Sequence, residues 1–590
     1  MRLRKLFLVL ALLALLAACR NAAVSLLDAS SETYQAVDLV IHNARIYTVN
    51  QDQPWSEAVA IKNGKFVRLG KDSELASLPA RRRLDLQQRL LLPAMVDGHS
   101  HPGYVSVEDF GEVNGDTPKA LLSSVKKYAD QHPEQKWLRL CCWPTTMFVN
   151  GDQGPKKEVL DAILPDRLVW FESETAHDFW LNSAALAELG VTRKTPDPKL
   201  GLAMYARDEN GDPTGWVKEG AGVQHFSTQF ALSKPDHIKR HKDRVADILQ
   251  HMSKHGLTAI FDAGNKGYGD YVYDVISTLE REGRLPLRYF GTYQIFTPER
   301  AKIAVDEVKR YQREYGGELL RFNSVKLFMD GISANQSASY TRPYLGSNIA
   351  SEPLLTTEEL TALLLRLHEE RLDLMVHSIG DRATRTVLDA VQAARSMIQD
   401  DFYPRVTVAH LALVDPVDIP RISALGVVAN FSPWWFGVES SSVVSDLLGK
   451  ERYGAMYPAR SVFESGATVT FSSDEWWGGD MLPTYLSPYL GMQTGHTRQY
   501  PKEWWQTEDD GIRLPASERL TLEQLVTGYT RHGAYQLRLE DQLGSIEVGK
   551  TADFIVLDQD LFTMKPDEIW RLQPSLVVME GKVMQGAYPE

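Results

Sequence analysis

The sequence predicts an α/β protein: a (β/α)8 barrel with a cap insertion, flanked by a composite β-sandwich drawn from both chain ends. Three observations predict it. Between Leu91 and Asp474 short apolar strands alternate with helical stretches, the signature of a parallel α/β architecture. Segments with β texture lie near both termini, within 37–92 and 540–590. Histidines and an aspartate fall at the ends of the inner strands, and a barrel collects its functional groups at the C-terminal ends of its strands.

The β segments come first. Asp38 to Val49 is followed by Ala58 to Gly70, where apolar alternation flanks Asn63-Gly64, a strong two-residue hairpin signal. The same texture returns from Leu543 to Leu557 and from Ser575 to Met584. One small β-domain built from 37–92 and 540–590 follows, with the barrel, 93–539, inserted between its halves. Ahead of it, Met1-Arg2-Leu3-Arg4-Lys5 is basic and Leu6 to Leu16 is apolar, too short for an ordinary membrane span, so 1–19 reads as a secretory signal. Leu16-Ala17-Ala18-Cys19 resembles a bacterial lipobox, which implies lipidation of Cys19 and a membrane anchor. Arg20, not aspartate, follows the cysteine, so the expected location is extracytoplasmic, in the periplasm on the outer membrane, with 20–36 as linker.

Composition narrows the function. The formal net charge is −13 and becomes more negative once the basic leader is removed, so nucleic acid is a poor partner. After lipidation only Cys141 and Cys142 remain; adjacent in sequence, they cannot form a normal disulfide framework, and they are expected to pack. No segment after the leader is long and apolar enough to span a bilayer.

The barrel opens at Leu91 to His101, an apolar run ending in His99-Ser100-His101. Side chains at i and i+2 of a strand leave one face, so both imidazoles aim at one point, a way to hold a metal ion. Further strands end at Asp262, Tyr293, Asp330, His377, His410, Ser432 and Asp474, which makes eight. Lys326 lies within the fourth. Each of the later residues alone is more often ordinary: a strand-end histidine is usually a loop or core residue, and an aspartate there is often a helix cap. Together, in barrel order, His99, His101, His377, His410 and Asp474 point to a divalent metal; the donor types suit Zn²⁺, Mn²⁺, Co²⁺ or Fe²⁺ alike.

Lys326 to Gly331, His377 to Ala383, Tyr529-Thr530, Leu543 to Ile546 and Gly549 to Asp553 resemble the amidohydrolase superfamily, in its amidohydrolase-3 (YtcJ-like) branch. The resemblance covers nearly everything from Asp38 onward. It implies hydrolysis of an amide, or of a related C–N or ester bond, by metal-activated water, with zinc the first expectation. It also implies that Lys326 is carboxylated and bridges two metals, one held by His99, His101, Lys326 and Asp474, the other by Lys326, His377 and His410. A salt-bridged Lys326 would leave one metal. Asp474 would be the catalytic acid–base. Deaminase relatives carry glutamate three residues after the strand-five histidine; Gly380 stands here.

The segment from 111 to 255 is too long for a simple connection and reads as a cap over the barrel mouth. Its Glu174 to Ser183 resembles the branch's cap motif, which implies that His177 contacts substrate, and Arg342 in Tyr340-Thr341-Arg342-Pro343 would orient a substrate oxygen. The pairs Trp434-Trp435, Trp476-Trp477 and Trp504-Trp505 follow strands seven and eight; Trp434 and Trp476 are the expected aromatic wall. Three places depart from the branch: its glycine-rich Trp-Leu-Arg segment here reads Trp137-Leu138-Arg139-Leu140-Cys141-Cys142-Trp143, Ala409 replaces glutamate, and Glu475-Trp476-Trp477 replaces small residues and proline. The expected activity is hydrolysis of a C–N bond in a small aromatic or N-acylated compound. An esterase or lactonase, or a non-catalytic ligand-binding lipoprotein, is the alternative, and a homodimer is left open.

Overall fold

The computed structural model describes residues 36–105, 111–148, 155–225, 235–348, 351–398, 401–437, 443–475, 482–503 and 511–588. The expected leader, Cys19, and Trp476, Trp477, Trp504 and Trp505 lie outside the described residues.

Eight parallel strands form the barrel: β1 (Met95–Ser100), β2 (Leu257–Asp262), β3 (Arg288–Ile295), β4 (Leu320–Phe328), β5 (Asp373–Ser378), β6 (Val406–His410), β7 (Val428–Phe431) and β8 (Val469–Phe471). Each pairs with the next in sequence. The Asp474 N–H donates to the His99 carbonyl at 2.7 Å, and the His101 N–H to the Glu475 carbonyl at 3.2 Å, so the chain leaving β8 closes on the end of β1. An apolar plug fills the floor of the barrel, where Val96, Phe261, Phe290 and Met375 meet Leu537 and Leu543. In β5, Met375 and His377 leave the same face, so the strand that packs the floor also aims a histidine toward the mouth.

The sandwich mixes both chain ends as expected. In its six-stranded sheet Leu90–Pro93 lies between Arg45–Tyr47 and Phe554–Leu557, with Leu91 opposite Val556. A second, four-stranded sheet includes Val37–His42 and the hairpin Ala58–Lys62 and Lys65–Gly70. Ile41, Phe66, Leu91, Phe554 and Val578 pack between the two sheets. Asn63 and Gly64 turn the hairpin with φ of 51° and 70°, and a Cβ on Gly64 would lie 2.6 Å from the Glu580 carbonyl.

The cap is a six-stranded sheet spanning Gly111–Glu112 to Pro213–Lys218, with its own core of Leu121, Leu140, Trp143, Phe171 and Trp180. It is shorter than the expected 111–255. The helix Pro235–Lys254 buries Val245, Leu249 and Met252 in the barrel's outer core and belongs to the barrel. The cysteines also differ from expectation: Cys141 and Cys142 are joined to each other by a disulfide. Cys142 has φ of 87° and the strand register shifts beside it, so consecutive side chains that would alternate in a regular strand are brought together. A ring across one peptide ties no distant segments, and stability still rests on packing.

Barrel and sandwich are joined by a buried ion pair. Arg288, at the start of β3, donates to Asp553 at 2.6 Å and to Glu580 at 2.9 Å, and Arg288 and Asp553 are 4% and 3% exposed. Removing one partner strands the other in an apolar setting, which costs about 3–5 kcal/mol. Arg288→Ala is therefore expected to lower the denaturant midpoint well beyond a surface substitution such as Arg193→Ala, measured by urea unfolding followed by circular dichroism.

Candidate active site

The strand ends converge. His99 Nε2 lies 3.1 Å from Asp474 Oδ1 and 3.2 Å from Lys326 Nζ. His101 gives Nδ1 to the Gly264 carbonyl at 2.7 Å, which turns Nε2 toward Asp474 Oδ1, 3.4 Å away. His410 Nδ1 is 3.4 Å from Asp474 Oδ2, and the rings of His377 and His410 are 4.4 Å apart. The structure thus brings together all six residues proposed as ligands. His410 and Asp474 have φ of 75° and 46°, left-handed values that bend both strand ends into the mouth.

Two carboxylates not assigned from sequence brace these ends. Asp97 accepts from the His99 N–H at 3.0 Å and from Ser473 Oγ at 2.6 Å, linking β1 to the chain after β8. Asp330 accepts backbone N–H groups of Ser339, Ile379 and Gly380 at 2.9, 3.0 and 2.9 Å, so it serves the loop around His377 and does not pair with Lys326. Burial pushes both carboxyls up to about 7.

Burial and the neighbouring cations hold His99, His377 and His410 well below the ordinary histidine range. Burial likewise brings Lys326 down to about 7, with Asp474 opposing it. At neutral pH the three imidazoles are uncharged and each offers one ring lone pair, while Lys326 is divided between its ammonium and amine forms. His410 Nδ1 is buried without a hydrogen-bond partner, and donor atoms of His99, His410 and Asp474 lie within 4.8 Å of one another. Neutral imidazoles and a carboxylate aimed at one volume fit a divalent cation.

A cavity of about 460 Å³ opens over this cluster. One wall is aromatic: Trp435 stacks on His410 with ring centres 5.2 Å apart, and Trp434 lies 4.8 Å from Tyr485 and donates to the Ser473 carbonyl at 2.5 Å. The cap contributes Leu202, Val223 and His177, whose ring is 5.9 Å from that of His377. Glu219 accepts from His177 Nδ1 at 2.6 Å. Burial alone would depress His177, and the Glu219 carboxylate outweighs it and raises this histidine above its ordinary value. Lys266 reaches the cavity wall but donates to Tyr104, Glu172 and the Ala176 carbonyl at 3.2, 2.7 and 3.0 Å, which uses its three donors.

Arg342 is placed elsewhere. Its side chain is 61% exposed, 3.4 Å from Glu451, and absent from the cavity lining, because Arg452 and Asp381 fix the surrounding backbone and leave the guanidinium outward. Trp435, Glu219 and Asp97 carried no sequence signal of their own; Trp435 was legible only as half of a tryptophan pair.

The amidohydrolase family profile matches residues 82–585. The chain belongs to the amidohydrolase family. It is 27% identical over 441 residues to the exoenzymes regulatory protein AepA of Pectobacterium carotovorum subsp. carotovorum, covering 73% of this chain and 92% of that one. It is 26% identical over 570 residues to N-substituted formamide deformylase of Arthrobacter pascens, covering 93% and 98%. A metal-dependent hydrolase of uncharacterized activity from Pyrococcus furiosus has the same fold, with a TM-score of 0.60 at 23% identity over 89% of this chain and all of that one. The chain is accordingly a hydrolase, and its donor set suits a divalent metal.

A ligand that binds only the folded state stabilises it by about 2.7 kcal/mol at 100 times its dissociation constant. Adding Zn²⁺ to chelator-stripped protein is expected to raise the thermal midpoint in a concentration-dependent way, and His410→Ala to lose most of that rise, as read by scanning calorimetry.

Proposed function

We propose that this chain hydrolyses a C–N bond in a small N-acylated compound bearing an aromatic or bulky apolar group. The observation that carries the reading is the convergence of four histidines, Lys326 and Asp474 beneath an aromatic-walled cavity. The relative from Arthrobacter pascens, an N-substituted formamide deformylase by name, supports the bond class.

His99, His101, Asp474, His377 and His410 would hold the metal, with zinc the first expectation from the family resemblance. When bound, it supplies a Lewis acid that brings the pKa of water to about 7. Lys326, brought down to about 7 by burial, would present in its amine form a nucleophile that can add to CO₂; the new N–C bond would release a proton and leave an anionic carbamate as a further metal ligand. Asp474 takes the proton of the attacking water at a carboxylate oxygen and returns it to the leaving nitrogen. Trp434, Trp435 and Tyr485 hold the apolar part of the substrate and keep water from the cleft. The leader and Cys19 complete the reading as an envelope enzyme tethered by lipid.

Elemental analysis of protein lacking residues 1–19, produced with added metal and bicarbonate, is expected to find two metals per chain, falling to one or none in Lys326→Ala. One metal in both would return Lys326 to a structural role. Asp474→Asn is expected to lower kcat on N-formyl and N-acetyl arylalkylamines by about 10²–10⁴-fold, with the matched arylalkyl esters assayed beside them to separate C–N from C–O scission. No metal and no turnover would overturn the proposal in favour of a ligand-binding protein. For the anchor, Cys19→Ser in the full chain is expected to move the protein from the membrane pellet to the soluble fraction.

A further inference from the structure

The cap histidine is held in place by a group that the reaction as described above does not use. Glu219 follows the cap strand Pro213–Lys218 and is 7% exposed, with φ of 50°, a left-handed conformation unusual for a glutamate. Its backbone and side chain both serve His177: the Glu219 N–H donates to the His177 carbonyl at 2.8 Å, and Oε2 accepts from His177 Nδ1 at 2.6 Å. The other oxygen, Oε1, accepts from Ser337 Oγ at 2.5 Å and from Asn335 Nδ2 at 3.5 Å, both on the loop after β4.

Gly331 opens this loop, and a Cβ there would lie 2.0 Å from Glu219 Oε1, so the glycine leaves the space the carboxylate occupies. The Gly331 carbonyl in turn lies 3.4 Å from His377 Nε2. A continuous set of contacts therefore runs from the cap histidine through Glu219 to the loop beside a ligand histidine. With Nδ1 committed to Glu219, Nε2 is the ring nitrogen of His177 left to face the cavity. It does so on the His377 flank of the cluster, whereas Asp474 contacts His99, His101 and His410.

From these contacts we infer that Glu219 is a positioning residue: it fixes the His177 ring so that Nε2 is the cap's hydrogen-bonding atom for the polar part of the acyl group, opposite the Asp474 that serves the leaving nitrogen. The inference rests on the proposed hydrolysis for its substrate and on the His177–Glu219 contact for its geometry. A ring misplaced by about 1 Å loses about 100-fold in rate.

The test combines a double-mutant cycle with a readout that needs no turnover. In metal-loaded enzyme carrying heavy-nitrogen histidine, the ring N–H resonance assigned to His177 by its loss in His177→Ala is expected to vanish or shift in Glu219→Ala and to persist in Glu219→Gln, which retains an acceptor. Glu219→Ala, His177→Ala and the double variant are expected to lose the same factor in kcat/KM, about 100-fold, with Glu219→Gln recovering most of it. Losses that multiply in the double variant, or a His177 resonance indifferent to Glu219→Ala, would overturn the positioning role and leave Glu219 as a cap fastener. A wild type that turns over no amide or ester overturns the proposed function, and the resonance then decides the dyad alone.

Discussion

Four histidines and a lysine share one largely buried mouth with the Asp474 carboxylate, and that crowding governs the rest of the molecule. Charged side by side, such groups would repel one another in a medium that solvates them poorly. Burial resolves the conflict by keeping the imidazoles of His99, His377 and His410 neutral, and the outcome is a set of lone pairs directed at one small volume. Groups held this way stay in place only if their backbones cannot yield. Asp97 binds the ends of β1 and β8 together, Asp330 gathers three backbone N–H groups beside His377, and the Gly264 carbonyl fixes the His101 ring.

The same requirement explains why both chain ends are needed. Leu90–Pro93, an inner strand of the sandwich, runs into β1 after a single residue, so the sandwich and the first pair of candidate ligands occupy one extended segment. A slip of one residue in that segment would turn His99 and His101 to the opposite face. The register is fixed on the sandwich side by pairing of Leu91 with Val556, and by the Ala94 N–H donating to the Asp553 carbonyl at 3.1 Å. Asp553 also receives Arg288 from β3, so one residue near the C-terminus aligns two barrel strands. The β-domain contributes no group to the cavity lining among the described residues, yet it sets where the reacting groups stand.

Sequence periodicity made the barrel and the strand-end candidate ligands legible because both depend on local spacing. A histidine that closes an apolar run at a barrel strand's end has few places to point, and His377, His410 and Asp474 are where that logic puts them. What escaped depends on contacts distant in sequence. Glu219 is an ordinary glutamate until Ser337, more than a hundred residues later, is folded against it. Arg342 sits in a familiar motif, but its direction is set by Arg452 and Asp381. The cap's end was misjudged because the amphipathic helix Pro235–Lys254 shows an apolar face without showing which domain covers it. The Cys141–Cys142 bond depends on a backbone bulge that strand alternation gives no reason to expect.

The cavity's two walls are coupled to the reacting groups to different degrees. Trp435 lies flat on the His410 ring, and Trp434 is bonded to the carbonyl of Ser473, the residue before Asp474. A change at either tryptophan therefore disturbs a candidate ligand or the peptide that carries Asp474, the proposed acid–base group. On the cap side, Leu202 and Val223, the latter on the short helix Gly220–Val223, line the same cavity with apolar side chains and pack against the main hydrophobic core. Exchanging one apolar residue there alters shape and little else, worth about 1–3 kcal/mol of discrimination per methylene. Under the proposed function, the cap's apolar lining is where substrate shape can vary while His177 and Glu219 stay fixed. In the same reading the aromatic wall, tied to the peptide that carries Asp474, would set the general class of molecule admitted.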